Sequence, residues 1–243
     1  MDTIKVNRGN VKMVAHRGVS GLELENTCAA FVAAGNRSYF GIETDIHKTA
    51  DGKYIVIHDD KTGRVAQENV VVEDSTYDQL RAIQLHEKDG SVRADLVMPD
   101  LQEYLSVCKR YGKVAVLELK NPFDKEAIAE VVAICKAQYG LENVVFISFF
   151  FQNMLYVKEA APEANAQYLL YDNIDLLERT DLVEKMLSNG LDVDIYHEML
   201  TKAHVDYLHS RGMKINCWTV DDPKRAEELA AWGVDYITTN ILE

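Results

Sequence analysis

In the stretch GIETDIHKTADGKYIVIHDD, residues 41–60, Glu43, Asp45 and His47 stand at alternate positions, and a second apolar run ends in His58-Asp59-Asp60. Ile42, Ile46, Ile55, Val56 and Ile57 mark both runs as strands, and alternate residues of a strand share one face. Two carboxylates side by side on a buried face repel each other and are costly to desolvate. A bound cation would remove that repulsion.

A third acid, Glu118, ends the apolar run VAVLEL at 114–119. Three oxygen donors without cysteine suit a hard divalent cation, Mg²⁺ or Ca²⁺, with water or substrate completing its shell. The plainer use of such acids is pairing with Lys or Arg in a structural network. His16 and His58 titrate near neutrality unless shifted, which suits proton transfer. Arg17 follows His16, and Lys120 stands two residues after Glu118. Cations there would be out of place in a site for metal alone. They fit an anion as well, since Arg can fork to phosphate oxygens and Lys supplies a point charge. Metal ligands, two imidazoles and two cations together describe phosphoryl-ester chemistry.

These residues need elements that bring positions 16, 43–58 and 118 together. Apolar, β-rich runs occur at 12–16, 40–46, 114–119, 143–148, 166–171, 192–197, 214–219 and 234–238. Helical spacing fills 26–36, 99–111, 125–139, 150–160, 175–189, 202–211 and 223–232. Gly112, Gly140, Gly190, Gly212 and Gly233 close helices. Asp124, Thr201 and Pro223 open them. Eight strands with intervening helices predict an α/β fold, a (β/α)8 TIM barrel, as one domain over 1–243. A doubly wound sheet would want a GxGxxG first turn, and HRGVSGLELENT is not one. Residues 47–98 break the rhythm, with a short strand at 53–57 and a helix near 75–85. They are expected to form a small excursion over the barrel mouth after the second strand. Barrel sites lie at the C-terminal ends of strands. His16-Arg17, Glu43 and Asp45, His58-Asp59, Glu118-Lys120, Ser148-Phe149, Tyr196-His197 and Trp218-Thr219 all fall at such ends.

The net charge of −13 argues against a sequence-independent nucleic-acid binder and against docking on anionic membranes. No run is long and apolar enough to predict a membrane anchor, and MDTIKVNRGN lacks the apolar region of a signal peptide. The four cysteines form no CxxC pair; reduced thiols and a cytoplasmic location are expected.

In order along the chain, these motifs resemble those of the glycerophosphodiester phosphodiesterase family. The family's HRG, ENT and AF elements appear as His16-Arg17-Gly18, Glu25-Asn26-Thr27 and Ala30-Phe31. Its E-x-D, T-x-DG and HD block appears as Glu43-Thr44-Asp45, Thr49, Asp51-Gly52 and His58-Asp59. Glu118-Leu119-Lys120, Trp218-Thr219-Val220 and the segment 233–239 complete the series. The resemblance implies hydrolysis of small-molecule glycerophosphodiesters to glycerol 3-phosphate and an alcohol. It implies one divalent cation, Ca²⁺ or Mg²⁺, on Glu43, Asp45 and Glu118. His16 and His58 would be the acid/base pair, and Arg17 and Lys120 would hold the phosphate. Leu24 departs from the proline that commonly precedes ENT, and the excursion is too short to be a large specificity cap.

Other positions carry further expectations. Trp218 is placed against the glycerol carbons or in the core; Asn26 and Thr27 fix the first loop against the site, or Thr27 caps the helix that follows it. His47 shares the face of the acids only if its strand reaches that far. Of Phe149-Phe150-Phe151, the first matches the family's Ser-Phe and the others are expected to pack a helix. His197 is read as a surface residue, and His86, His204 and His209 receive no role. The rival readings are a phospholipase-type phosphodiesterase of related barrel design, a non-catalytic binder of phosphorylated ligands, and a metal-dependent sugar isomerase.

Overall fold

The computed structural model describes residues 2–87, 89–171 and 174–243. In chain order the first half runs β1 (Lys12–Ala15), α1 (Cys28–Gly35), β2 (Gly41–Lys48), β3 (Tyr54–Val56), α2 (Tyr77–Ala82), α3 (Leu101–Tyr111), β4 (Val114–Leu119) and α4 (Lys125–Gln138). The second half runs β5 (Val144–Ser148), α5 (Phe151–Ala160), β6 (Asn165–Leu170), α6 (Thr180–Ser188), β7 (Asp192–Tyr196), α7 (Lys202–Ser210), β8 (Ile215–Trp218), α8 (Pro223–Trp232) and β9 (Tyr236–Thr239). Neighbouring strands pair in parallel around the order β1-β9-β8-β7-β6-β5-β4-β2, and β1 meets β2 through Val14–Gly41 and Ala15–Ile42. Eight strands therefore close into a TIM barrel. The ninth, β3, pairs antiparallel with the far end of β2, from Ile46 to Lys48.

Strand alternation divides the core. Val14, Val116, Ile147, Leu169 and Tyr236 form one cluster inside the barrel. Their neighbours Met13, Leu117, Phe146 and Ile237 join a larger cluster beneath the helices. The excursion has a third, small core of its own, including Ile55, Val72, Leu80, Leu85 and Leu96.

The helices begin where capping chemistry puts them. The stretch at 26–36 starts only at Cys28, because Asn26 is left-handed (φ 55°) and Thr27 is an extended cap whose Oγ1 accepts from the Ala30 amide at 3.2 Å. The stretch at 175–189 starts at Thr180. There the Asp175 side chain takes the Leu177 N–H at 2.8 Å, which stabilises a turn in place of the first helical residues. Gly112 and Gly233 end their helices in the left-handed conformation, which glycine adopts without a Cβ clash.

Candidate active site

The end of β2 meets the end of β4 with Asp45 opposite Glu118 and Glu43 opposite Val116. Glu43, Asp45 and Glu118 are all buried, and one carboxylate oxygen from each lies within 4.8 Å of the others. Glu43 Oε2 accepts from the Arg17 backbone N–H at 2.7 Å, and Asp45 Oδ2 accepts from Asn26 Nδ2 at 2.7 Å. Glu43 Oε1 and Asp45 Oδ1 are buried with no hydrogen-bond partner among the described residues. Lys120 Nζ reaches Glu118 Oε1 at 2.8 Å but lies 3.6 Å from Asp45 Oδ1, too far for a hydrogen bond. Buried acid oxygens left open toward one another, in an all-oxygen donor set, fit a hard divalent cation.

The proton affinities follow from this crowding. Burial, then the neighbouring Asp45 and Glu118 charges, pushes the Glu43 carboxyl well above the usual range. Burial and Asp45 push Glu118 up to about 7. Burial also acts to raise Asp45, but Arg17 and Lys120 outweigh it and hold that carboxyl below the usual range.

Each imidazole is fixed through Nδ1. His16 Nδ1 lies 2.8 Å from Asn240 Oδ1, an acceptor that also takes the Ser20 hydroxyl at 2.6 Å. His58 Nδ1 lies 2.6 Å from Asp59 Oδ1. An acceptor on Nδ1 places the proton there, so Nε2 of each ring keeps its lone pair when the ring is neutral. Burial, with the adjacent Arg17 charge, pushes His16 down to about 4. Burial also lowers His58.

Arg17 ties the two halves of the site together. It is left-handed (φ 54°), which is uncommon for a residue with a side chain and clusters at functional sites. Its NH1 donates to Glu25 Oε1 at 2.8 Å. Glu25 also takes a fork from Arg64, at 2.8 Å on each oxygen, and Arg64 Nε donates to Asp59 Oδ2 at 2.6 Å. Arg17, Glu25, Arg64, Asp59 and His58 thus form one continuous charged chain.

A cleft of about 410 Å³ opens where these groups meet; His16, Arg17, Glu43, His58, Glu118 and Lys120 line it. Trp218 is at its wall, ringed by Phe149 at 5.5 Å and by Tyr171 and Tyr196 at 5.8 Å. His47 is on β2 and buried, and it does not line the cleft. Its Nε2 lies 3.2 Å from the His58 carbonyl and its Nδ1 3.3 Å from Glu73. Phe151 packs on Tyr168 at 5.0 Å as the first residue of α5, whereas Phe150 is exposed. His197 meets Arg225, His204 pairs with Asp175, and His209 pairs with Asp235, all away from the cleft.

Glu25, Arg64, Asn240 and Asp194 have no counterpart among the residues picked from sequence pattern as chemically active. Glu25 appears there only within a motif. Asp194 carries a signal in DVDIY, where it alternates with Val193 and Ile195.

A TIM barrel with acids, imidazoles and cations around one cleft at its strand ends has the form of a metal-dependent phosphodiester hydrolase. Residues 16–243 match the model of the Glycerophosphoryl diester phosphodiesterase family. A glycerophosphodiester phosphodiesterase of Bacillus altitudinis is 30% identical over 237 residues, covering 94% of both chains. A solved glycerophosphodiester phosphodiesterase of Parabacteroides distasonis superposes with a TM-score of 0.74 at 27% identity, covering 95% of this chain and 93% of that one. At 22% identity, an Oleispira antarctica phosphodiesterase solved with its product sn-glycerol-3-phosphate shares the fold with a TM-score of 0.84, over 97% and 95% of the two chains. The chain belongs to the glycerophosphoryl diester phosphodiesterase family, a family of hydrolases. No helix among the described residues is long and apolar enough to cross a membrane.

Proposed function

We propose that the protein, acting as one domain over 1–243, hydrolyses glycerophosphodiesters to glycerol 3-phosphate and an alcohol. In this reading Glu43, Asp45 and Glu118 hold one Ca²⁺ or Mg²⁺. The observation that carries it is the shared cleft, which two imidazoles anchored through Nδ1 line together with Arg17, Lys120 and two acids of the three-carboxylate cluster.

Arg17 and Lys120 bind the diester phosphate, and their charge opposes the charge that builds on the phosphoryl oxygens. The cation, when bound, supplies further positive charge to those oxygens. One imidazole, neutral, takes the proton of the attacking hydroxyl on Nε2; the other enters as imidazolium, protonated on both nitrogens, and gives its Nε2 proton to the departing alkoxide. The attacking group is the substrate's own 2-hydroxyl or a water molecule. The 2-hydroxyl route gives a cyclic phosphate that is opened in a second step with the imidazole roles exchanged. Trp218 packs against the glycerol carbons. Asn240 and Asp59 keep Nδ1 of each ring as the donor, which leaves both proton transfers to Nε2. Cytoplasmic turnover of lipid-derived diesters is the setting that fits a small-molecule substrate.

The test is release of glycerol 3-phosphate from a panel of glycerophosphodiesters, first in chelator, then with Ca²⁺ or Mg²⁺ restored, beside Glu43→Ala. Release that returns with metal, and that the variant lacks, supports the reading. Equal release in chelator, or from the variant, overturns the ligand assignment. No release with either metal overturns the activity.

A further inference from the structure

Asp194 lies on the inward face of β7, between Val193 and Ile195 of the outer core. It lines the cleft and is only 1% exposed. Its Oδ2 accepts from Asn216 Nδ2 at 3.1 Å. That nitrogen also donates to Gln167 Oε1 at 3.1 Å, and Asn216 Oδ1 accepts from Thr238 at 3.2 Å. The network fixes the carboxyl and uses up the Asn216 amide. Asp194 Oδ1 is left buried with no partner among the described residues. An unpaired buried acceptor costs on the order of 1–3 kcal/mol, and such atoms in folded proteins usually meet something.

A second unpartnered atom belongs to another residue that lines this cleft. Asp194 is opposite Asn216 on β8, and Trp218 stands two residues further toward the rim on the same face. Trp218 Nε1 is also buried without a partner, and Trp218 lines the same cleft. An indole N–H only donates, and a carboxyl oxygen can accept. A free donor and a free acceptor on neighbouring strands suit a hydroxyl group, which does both. β7 and β8 stand across the barrel from β2 and β4, which carry the acid cluster. A ligand with its phosphate beside Arg17 and Lys120 would turn its far end toward Asp194.

We propose that Asp194 Oδ1 and Trp218 Nε1 bind the terminal hydroxyl of the substrate's glycerol and thereby select glycerol over alcohols that lack it. The proposal rests on the glycerophosphodiester reading above. Burial and the nearby Glu118 charge favour the protonated form of Asp194; ionised or protonated, its carboxyl can bond to a hydroxyl.

The experiment compares kcat/KM for glycerophosphoethanolamine with that for the analogue in which propane-1,2-diol replaces glycerol, so that only the terminal hydroxyl is missing. The wild type should prefer the glycerol diester by ~10–100-fold, as expected when buried polar groups lose their partner. Asp194→Leu and Trp218→Phe should each shrink that ratio, and the double variant should bring it close to one. Calorimetry with glycerol 3-phosphate and propane-1,2-diol 1-phosphate should show the same loss of discrimination in binding. A merely structural role would weaken both ligands together and leave the ratio intact, which overturns the proposal. A wild type that treats the two diesters alike also overturns it, while leaving glycerophosphodiester hydrolysis standing. If no diester is cleaved the functional reading falls, and the calorimetric ratio still decides this one.

Discussion

Replacing Glu118 with glutamine should stabilise the chelated protein and deprive it of its response to a divalent cation. Glu118 is buried opposite Asp45, and its carboxyl rises from 4.5 to about 7 despite the Lys120 ammonium beside it. Between those values the folded chain holds a proton that the unfolded chain has released. Stability therefore falls as pH rises through that window. The wild type loses on the order of 3 kcal/mol by the time pH exceeds about 7, and none of it below about 4.5. Glutamine keeps the shape without the charge and avoids that cost. At roughly 2–4 °C per kcal/mol for a chain of this size, the gain in Tm is about 6–12 °C. Thermal unfolding followed by circular dichroism, in chelator at pH 5 and pH 8, reads it directly. At pH 8 Glu118→Gln should melt above the wild type, and at pH 5 the two should nearly coincide. Excess Ca²⁺ or Mg²⁺ should then raise the wild type alone. A variant that melts below the wild type at pH 8 in chelator, or a gap that ignores pH, refutes the reasoning. The first result would mean that the Lys120 pair outweighs burial and the repulsion from Asp45, and the second that it balances them.

His16→Ala and His58→Ala should each lower kcat by ~10²–10⁴-fold while leaving calorimetric cation binding intact; near-normal turnover in either removes that ring from proton transfer. Cation affinity should rise with pH between 5 and 8, up to ~10-fold per pH unit for each proton released, because Glu43 and Glu118 must shed their protons to bind; titration at three pH values checks this. Asn26→Ala should cost about 2–4 kcal/mol in denaturant unfolding, since it removes the bond to Asp45 and leaves alanine at φ 55°. Asn26→Gly should recover only the backbone share.

The strand ends were legible in the amino-acid order because a parallel barrel carries every strand's C-terminus to one rim. Alternation within 41–48 fixes the face of Glu43 and Asp45, and the glycine stops fix where helices end. The partners that orient the chemistry were not legible in the same way. Asn240 meets His16 across 224 residues of chain, and Arg64 meets Glu25 across 39. No local spacing announces contacts between elements so far apart. The left-handed backbone at Arg17 and Asn26 was hidden for another reason. Neither residue is glycine, and the conformation is held by the bonds their backbone and side chains make to Glu43 and Asp45. His47 looked like a companion of the acids by alternation alone, but β3 folds back on its end of β2 and occupies its ring with the His58 carbonyl.

The excursion after β2 has a divided construction. Its near end supplies His58, Asp59 and Arg64 to the charged chain that reaches Arg17. Beyond Arg64, its apolar side chains pack mostly on one another, and the cluster includes Val65, Ala66, Leu85 and Met98. The two parts answer to different demands, because only the first touches the reacting groups. Exposed positions between Ala66 and Leu96 can be varied in protein engineering, but Val72, Leu80, Leu85 and Leu96 have to stay, because they pack with Ile55 and Ile57 just before His58.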